Sequence, residues 1–203
     1  MLHGVVLISN KLTKFFPMPS PSDLKPGVLL ISEPFLEDPS FKRSVILLCE
    51  HTSSHSFGLV LTQPQEVILD SIMDAKIMGE IPLFAGGPVD PTILQFVHRR
   101  PDLIQGGQEI APGIFWAGDF EQAIEAVIDG TISFQEIKFF IGYSGWSAGQ
   151  LDRELKSDSW IISQARVSDV FEESPEKLWR SVLYQKGGNY RVLSTYPDDP
   201  NLN

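Results

Sequence analysis

Short apolar runs separated by polar turns dominate this chain, and they predict many strands. The run Arg43 to His51 (RSVILLCEH) is apolar on both faces at its centre, which is typical of a central strand covered on both sides. Similar apolar runs predict further strands at 28–32, 57–62, 82–85, 92–98, 113–117, 137–143, 160–162 and 165–171, with one helical turn at 69–73. The polar segment 52–56 is short enough for a hairpin.

Helical periodicity is clearest after Asp119, which forms a capping-box pattern with Gln122. This helix is predicted over 119–129, and two more over 148–156 and 175–186. The strands come in groups and do not alternate strictly with helices. The pattern therefore predicts an α+β fold rather than a doubly wound parallel sheet.

Prolines and polar residues set the predicted domain boundaries. Pro17, Pro19 and Pro21 alternate with Met and Ser, so residues 1–25 are predicted to be a flexible N-terminal extension. Residues 26–190 are expected to form a single domain, and residues 191–203 a C-terminal tail.

Charge narrows the range of partners. The 203 residues include 16 Lys and Arg against 26 Asp and Glu, a formal net charge of −10. Nucleic-acid binding draws on basic side chains, so direct binding to DNA or RNA is not expected. No apolar run reaches the length of a membrane span. Cys49 is the only cysteine, which fits a reducing compartment, and a cytoplasmic protein is predicted.

The segment Gly145-Trp146-Ser147-Ala148-Gly149 matches the G-x-S-x-G of a nucleophile elbow. A hydrolase would need a base near Ser147, and His98 and His51 are the candidates because no histidine follows Ser147 in the chain. The alternative is structural, since Ser147 and Gln150 also form a capping box at the start of a predicted helix. The capping box is the favoured interpretation, with the hydrolase kept as the alternative.

Two other clusters suggest chemistry more weakly. Cys49, His51 and His55 carry zinc-type ligands, with Cys49 and His51 expected on one face of a strand, but their spacing fits no established zinc pattern. The basic run 98–100 could bind an anion, but ion pairs of its arginines with Asp102 or Glu109 are the simpler and favoured interpretation. No metal and no cofactor are predicted.

Five segments resemble the YqgE/AlgH family. They are GVLLIS at 27–32, DPSFKRSVILLCEH at 38–51, FGLVL at 57–61, FAGGPV at 84–89, and FIGYSGW at 140–146 followed by Gly149, Gln150, Leu151 and Glu154. The resemblance covers about residues 26–186, with Thr62 standing where many members have Asn. It implies a bifurcated, mostly antiparallel sheet curled into a pseudo-barrel with packed helices. It also implies a proposed role in regulating transcription, with no agreed catalytic residues.

A ligand- or protein-binding module is therefore the leading functional prediction, with an unidentified protein or small molecule as its partner. Turn glycines lie beside polar and aromatic residues, a combination found in ligand pockets. The strand segment 43–51 and the turn segment 143–150 are expected to approach each other and line one cleft, with Gly86-Gly87 nearby. The predicted binding residues are Arg43, Glu50, His51, Gly86, Gly87, Tyr143, Ser144, Trp146 and Gln150.

Overall fold

The computed structural model describes residues 20–73 and 80–197. Most of the predicted extension and the last six residues of the predicted tail, 198–203, lie outside these residues. The strands are β1 (Val28–Ser32), β2 (Val45–His51), β3 (His55–Val60), β4 (Pro64–Ile68), β5 (Pro82–Ala85), β6 (Val89–His98), β7 (Gln108–Ala111), β8 (Ile114–Trp116), β9 (Ile137–Ser147) and β10 (Trp160–Gln164). The helices are α1 (Phe120–Ile128), α2 (Gln150–Lys156), α3 (Pro175–Lys186) and α4 (Gly188–Leu193).

The sheet is mostly antiparallel and curls into a half-barrel, as expected for an α+β fold. Its strand order is β10-β1-β2-β3-β9-β6-β8-β7, with β4 and β5 off this path. Among the described strands, only β5 and β9 pair in parallel. The predicted fold class is therefore confirmed.

The sheet bifurcates along β9. Residues 139–141 of β9 pair with β5, whereas residues 144–147 on the same edge pair with β3. The Gly86 N–H bonds to the Ile141 carbonyl, and the Gly86 carbonyl accepts from Val60 of β3. Gly86 therefore marks the point at which β5 leaves β9.

Three apolar clusters fill the space between sheet and helices. The α3 cluster packs Leu47 and Leu59 against Trp179 and Leu183. The α2 cluster lies on the other face of β2 and packs Ile46 against Leu151. Because alternate strand side chains point to opposite faces, the central strand is buried on both sides as its sequence predicts. The α1 cluster packs the Ala123–Ile124 face of α1 against β5, β6 and β9.

The predicted strand at 165–171 is wrong. Residues 168–172 form a short π-helical segment instead. The Asp169 carboxylate accepts from the Arg166 backbone N–H at 3.1 Å and from its guanidinium at 2.6 Å. Such local side-chain to backbone bonds compete with strand pairing, while Val170 and Phe171 are still buried.

The predicted helices all form, within two residues of their expected ends. Two strands and one helix were missed: β4, β7 and α4. β4 is a mostly exposed edge strand that begins with Pro64, so it lacks an apolar pattern. Leu193 of α4 joins the α3 cluster, so the packed chain continues past residue 190. Within the described residues, no helix is both long and apolar enough to cross a bilayer.

Candidate functional site

Gly86, Gly87 and Ser144 meet at the fork of the sheet. The Ser144 Oγ donates to the Gly86 carbonyl at 3.2 Å, and Ser144 is fully buried. A Cβ at Gly87, whose φ is 149°, would lie 2.3 Å from the Tyr143 carbonyl carbon. These three predicted binding residues therefore hold two backbone segments together inside the molecule.

Trp146 and Gln150 both bind the carboxylate of Glu154. The indole N–H groups of Trp146 and Trp160 each donate to Glu154 Oε2 at 2.8 Å, and Gln150 Nε2 donates to Oε1 at 2.9 Å. Trp146 is only 4% exposed and belongs to the α2 cluster. The tryptophans therefore form part of the core beneath α2.

Tyr143 and Glu50 lie on the opposite face of the sheet from Trp146. The Tyr143 ring packs on Phe57 at a centroid distance of 4.9 Å, and Phe57 packs on Trp116 at 5.2 Å. Glu50 is the register partner of Phe57, and its Oε2 lies 3.2 Å from His55 Nε2. This half-buried aromatic row borders the α3 cluster.

Arg43 belongs to the α3 side of the molecule. Its guanidinium lies 4.4 Å above the ring of Trp179 and donates to the carbonyls of Tyr196 and Pro197. Trp146 is in the cluster on the other face, so the structure separates these residues. The expectation that the two segments line one shared cleft is thus not met, because alternation divides their side chains between two faces of the sheet.

The predicted strand, turn and helix are present, but Ser147 is the last residue of the strand and does not lie in the turn. β9 continues to Ser147, because residues 144–147 pair with β3, and only Ala148 and Gly149 precede α2. The Ser147 hydroxyl and backbone N–H both donate to Gln150 Oε1, at 3.2 and 3.1 Å. This is half of the predicted capping box: the Gln150 side chain reaches back, but the serine hydroxyl caps no helix N–H.

His98, the other residue of the hydrolase alternative, is fully buried with both ring nitrogens engaged. Nε2 lies 3.1 Å from the Ala117 carbonyl, and Nδ1 accepts the Arg100 N–H at 3.2 Å. Burial lowers the pKa of His98, which favours the neutral ring that this pattern requires. Its place is structural, and it makes no bond to Ser147.

The neighbouring arginines form ion pairs. Arg99 contacts Glu172 at 3.4 Å, and Arg100 contacts Asp102 and Glu136 at 2.8 and 2.9 Å. The Arg100–Asp102 pair confirms the simpler interpretation of the basic run.

The predicted shared face of Cys49 and His51 is also wrong. A bulge between Leu48 and Glu50 shifts the alternation of β2. Cys49 is therefore buried in the α3 cluster, whereas His51 points to the opposite side. Among the described residues, no group of three or more His, Cys, Asp or Glu side chains could hold a metal ion.

A cleft of about 250 Å³ lies between the β2–β3 hairpin and the start of α2. His51, Thr52, Ser53 and Ser56 line the hairpin side, and Gly149, Leu151 and Asp152 line the helix side. Leu151 is buried, so the cleft has an apolar base beneath a polar wall. Of the nine predicted binding residues, His51 lies here.

The hairpin side of the cleft is held by its own hydrogen bonds. His51 Nδ1 lies 2.8 Å from Ser56 Oγ across the two strands, which pair these residues. The Thr52 hydroxyl accepts the backbone N–H groups of Ser54 and His55 at 3.3 and 3.2 Å. These bonds hold the imidazole and hydroxyl groups in place.

Ser56 and Asp152 line the cleft with polar side chains, but no sequence pattern indicated either residue. Ser56 lies on a strand with no motif, and Asp152 is one acidic residue among many. The register of the β2–β3 hairpin places Ser56 opposite His51, and a correct register prediction would have found it. No local signal indicates that Asp152 approaches this hairpin.

The AlgH-like family profile (DUF179) matches residues 29–191, most of the chain. The chain belongs to the AlgH-like family. It is 41% identical over 181 residues to a UPF0301 protein of Cytophaga hutchinsonii, covering 89% of this chain and all of that one. It is also 40% identical over 181 residues to a UPF0301 protein of Chlorobaculum tepidum, covering 89% of this chain and 96% of that one. The family suggested by the five sequence segments is thus confirmed.

Solved structures support the fold. The crystal structure of a Corynebacterium diphtheriae protein matches with a TM-score of 0.72 at 21% identity, covering 97% of this chain and all of that one. The solution structure of AlgH from Pseudomonas aeruginosa matches with a TM-score of 0.67 at 24% identity, covering 90% of this chain and 98% of that one. At these identities the likeness concerns the fold alone.

Proposed function

We propose that this AlgH-like protein is a binding module for a small polar molecule, and that the hairpin–α2 cleft is its site. The observation that carries the proposal is the cleft itself: an imidazole, hydroxyl groups and a carboxylate surround a buried leucine. Ligand sites commonly combine an apolar base with a few fixed polar groups. The volume of about 250 Å³ suits a compact metabolite.

A regulatory role would follow through a protein partner in the cytoplasm. The formal net charge of −10 opposes direct contact with nucleic acid, so the bound state would be communicated by protein contact. The hydrolase alternative has less support, because Ser147 is bonded to Gln150 and its two proposed bases are bonded elsewhere.

Thermal unfolding of the full chain with a panel of polar metabolites tests the proposal. A compound present at about 100 times its Kd stabilises a protein by about 2.7 kcal/mol, which corresponds to a Tm increase of about 5 °C or more at this chain length. Ser53 is exposed and lines the cleft, so Ser53→Tyr should fill the cleft and abolish the increase.

Ser54→Tyr is the matched control. Ser54 is the next residue, is equally exposed and does not line the cleft, so this variant should keep the full ligand-induced increase measured from its own baseline. A ligand effect that survives Ser53→Tyr, or a broad panel without any effect on the unmodified chain, would refute a binding site in this cleft.

A further inference from the structure

Two opposite charges stand at the helix side of the cleft. Asp152 lines the cleft, and the Arg153 Nη1 lies 3.5 Å from where a Cβ at Gly149 would be. Gly149 itself lines the cleft, so the guanidinium is at its margin. An acidic and a basic group therefore border the same opening.

Helix geometry explains why both groups reach this place. Asp152 and Arg153 follow Gly149 by three and four residues, and Arg153 N–H bonds to the Gly149 carbonyl at 3.2 Å. Side chains of a helix lean toward its N-terminus, so both extend back over Gly149. Gly149 has no side chain, and its φ of 66° is a conformation that glycine adopts without strain. The space above it stays open between the two charges.

Asp152 is half-buried and Arg153 is exposed, so both charged groups are accessible to a ligand at the opening of the cleft. No ion pair or side-chain hydrogen bond joins Asp152 or Arg153 to another described residue. A ligand with both a positive and a negative group would complement this pair.

Resting on the proposed function, we infer that the cleft binds a zwitterionic α-amino acid. Its carboxylate pairs with the Arg153 guanidinium, which matches a carboxylate in a bidentate fork. Its ammonium group pairs with Asp152. Its side chain points to the imidazole and hydroxyl groups of His51, Thr52 and Ser56, which favours a short polar side chain. Leu151 provides the apolar surface beneath the Cα and Cβ atoms.

A comparison of amino acids with their blocked forms tests this inference on the full chain. The standard α-amino acids are assayed by thermal shift, and the strongest is titrated by calorimetry together with its N-acetyl and its amide forms. N-acetylation removes the ammonium group, and amidation removes the carboxylate. Each should weaken binding by about tenfold or more, the loss expected for one charge-assisted hydrogen bond.

Matched variants identify which side chain of the protein binds the ammonium group of the ligand and which binds its carboxylate. Asp152→Asn should weaken binding of the free amino acid about tenfold but leave the already weak N-acetyl form unchanged, and Arg153→Gln should do the same for the amide form. Asp129→Asn and Lys156→Gln, at exposed positions in the turn after α1 and at the end of α2, are the controls and should bind like the unmodified chain.

The outcomes separate the two proposals. Binding of a neutral or singly charged metabolite that Ser53→Tyr abolishes, with no response to amino acids, would overturn the zwitterion inference and keep the binding module. Amino-acid binding that both charge variants leave unchanged would also overturn the inference. Absence of binding by every class of probe would overturn both.

Discussion

The Glu154 carboxylate shows how one residue can hold a local core together. It accepts the indole N–H groups of Trp146 and Trp160, both of which are buried. A buried donor without an acceptor loses the full free energy of its solvation, about 1–3 kcal/mol. The side chain that receives both donors is therefore more important for stability than its half-buried position on α2 suggests.

Replacement of Glu154 tests this account. Glu154→Ala leaves two indole donors unpaired and should lower the free energy of unfolding by about 2–4 kcal/mol in urea denaturation. Glu154→Gln keeps a carbonyl oxygen for the indoles and should cost clearly less. Glu125→Ala, at an exposed position of α1, is the control. Equal losses for the Ala and Gln variants would show that the indole bonds are not the cause.

At the scale of elements, the fork of the sheet depends on a close approach of two backbones. Gly87 lies against Tyr143 and Ser144 of β9, where an added Cβ would be 2.3–2.4 Å from backbone atoms. Real Cβ atoms do not approach backbone so closely, and both segments are held by hydrogen bonds. One of them would have to move, and β5 would then separate from β9.

Replacing each of two glycines with alanine distinguishes the effect of a steric clash from the effect of backbone strain alone. Gly87→Ala should lower the free energy of unfolding by about 3 kcal/mol or more, since it adds a clash to the strain of a positive φ. Gly106→Ala adds the strain alone, because its φ is 75° and no atom lies within 4 Å of the added Cβ. Its cost should be about 1 kcal/mol. Similar losses at both positions, by urea denaturation, would contradict the account.

At the scale of the whole molecule, a buried lysine makes stability depend on pH. Lys138 is 9% exposed, and its Nζ lies 4.2 Å above the Phe84 ring. Burial lowers its pKa from 10.5 to about 8, against the opposing effect of the Glu176 carboxylate. Between these values the unfolded chain binds more protons than the folded one, so stability should rise with pH there. Below about pH 8 the lysine is protonated in both states, so the full free-energy cost of burying its charge remains.

Lys138→Met removes the charge at similar length. The cost of holding this ammonium group is on the order of 3 kcal/mol, since a pKa change of one corresponds to about 1.4 kcal/mol. The variant should gain stability at pH 7 and lose the rise between pH 8 and 10, measured by urea denaturation at several pH values. Lys156→Met, an exposed position, should keep the rise. A loss of stability in Lys138→Met would show that the ammonium group is stabilising.

Local patterns determined much of the fold. The two-sided apolar run of β2 predicted a central strand, and the capping residue Asp119 predicted the start of α1, because these signals depend on a few neighbouring residues. Where polar local contacts or edge positions replaced those signals, as at 165–171 and in β4, the prediction was wrong or missing. Each of the five segments that indicated the family is likewise a run of neighbouring residues, so the family could be recognised from the sequence alone.

The composition of the candidate site depends on contacts between distant parts of the chain. One bulge in β2 sent Cys49 and His51 to opposite faces, and the pairing of β9 with β3 turned the expected serine turn into strand. The cleft joins a hairpin and a helix about one hundred residues apart, so its composition depends on register and on the packing of α2. Such long-range contacts depend on the sum of many burial and strand-pairing free energies across the molecule. They therefore cannot be predicted from any one local segment of the sequence.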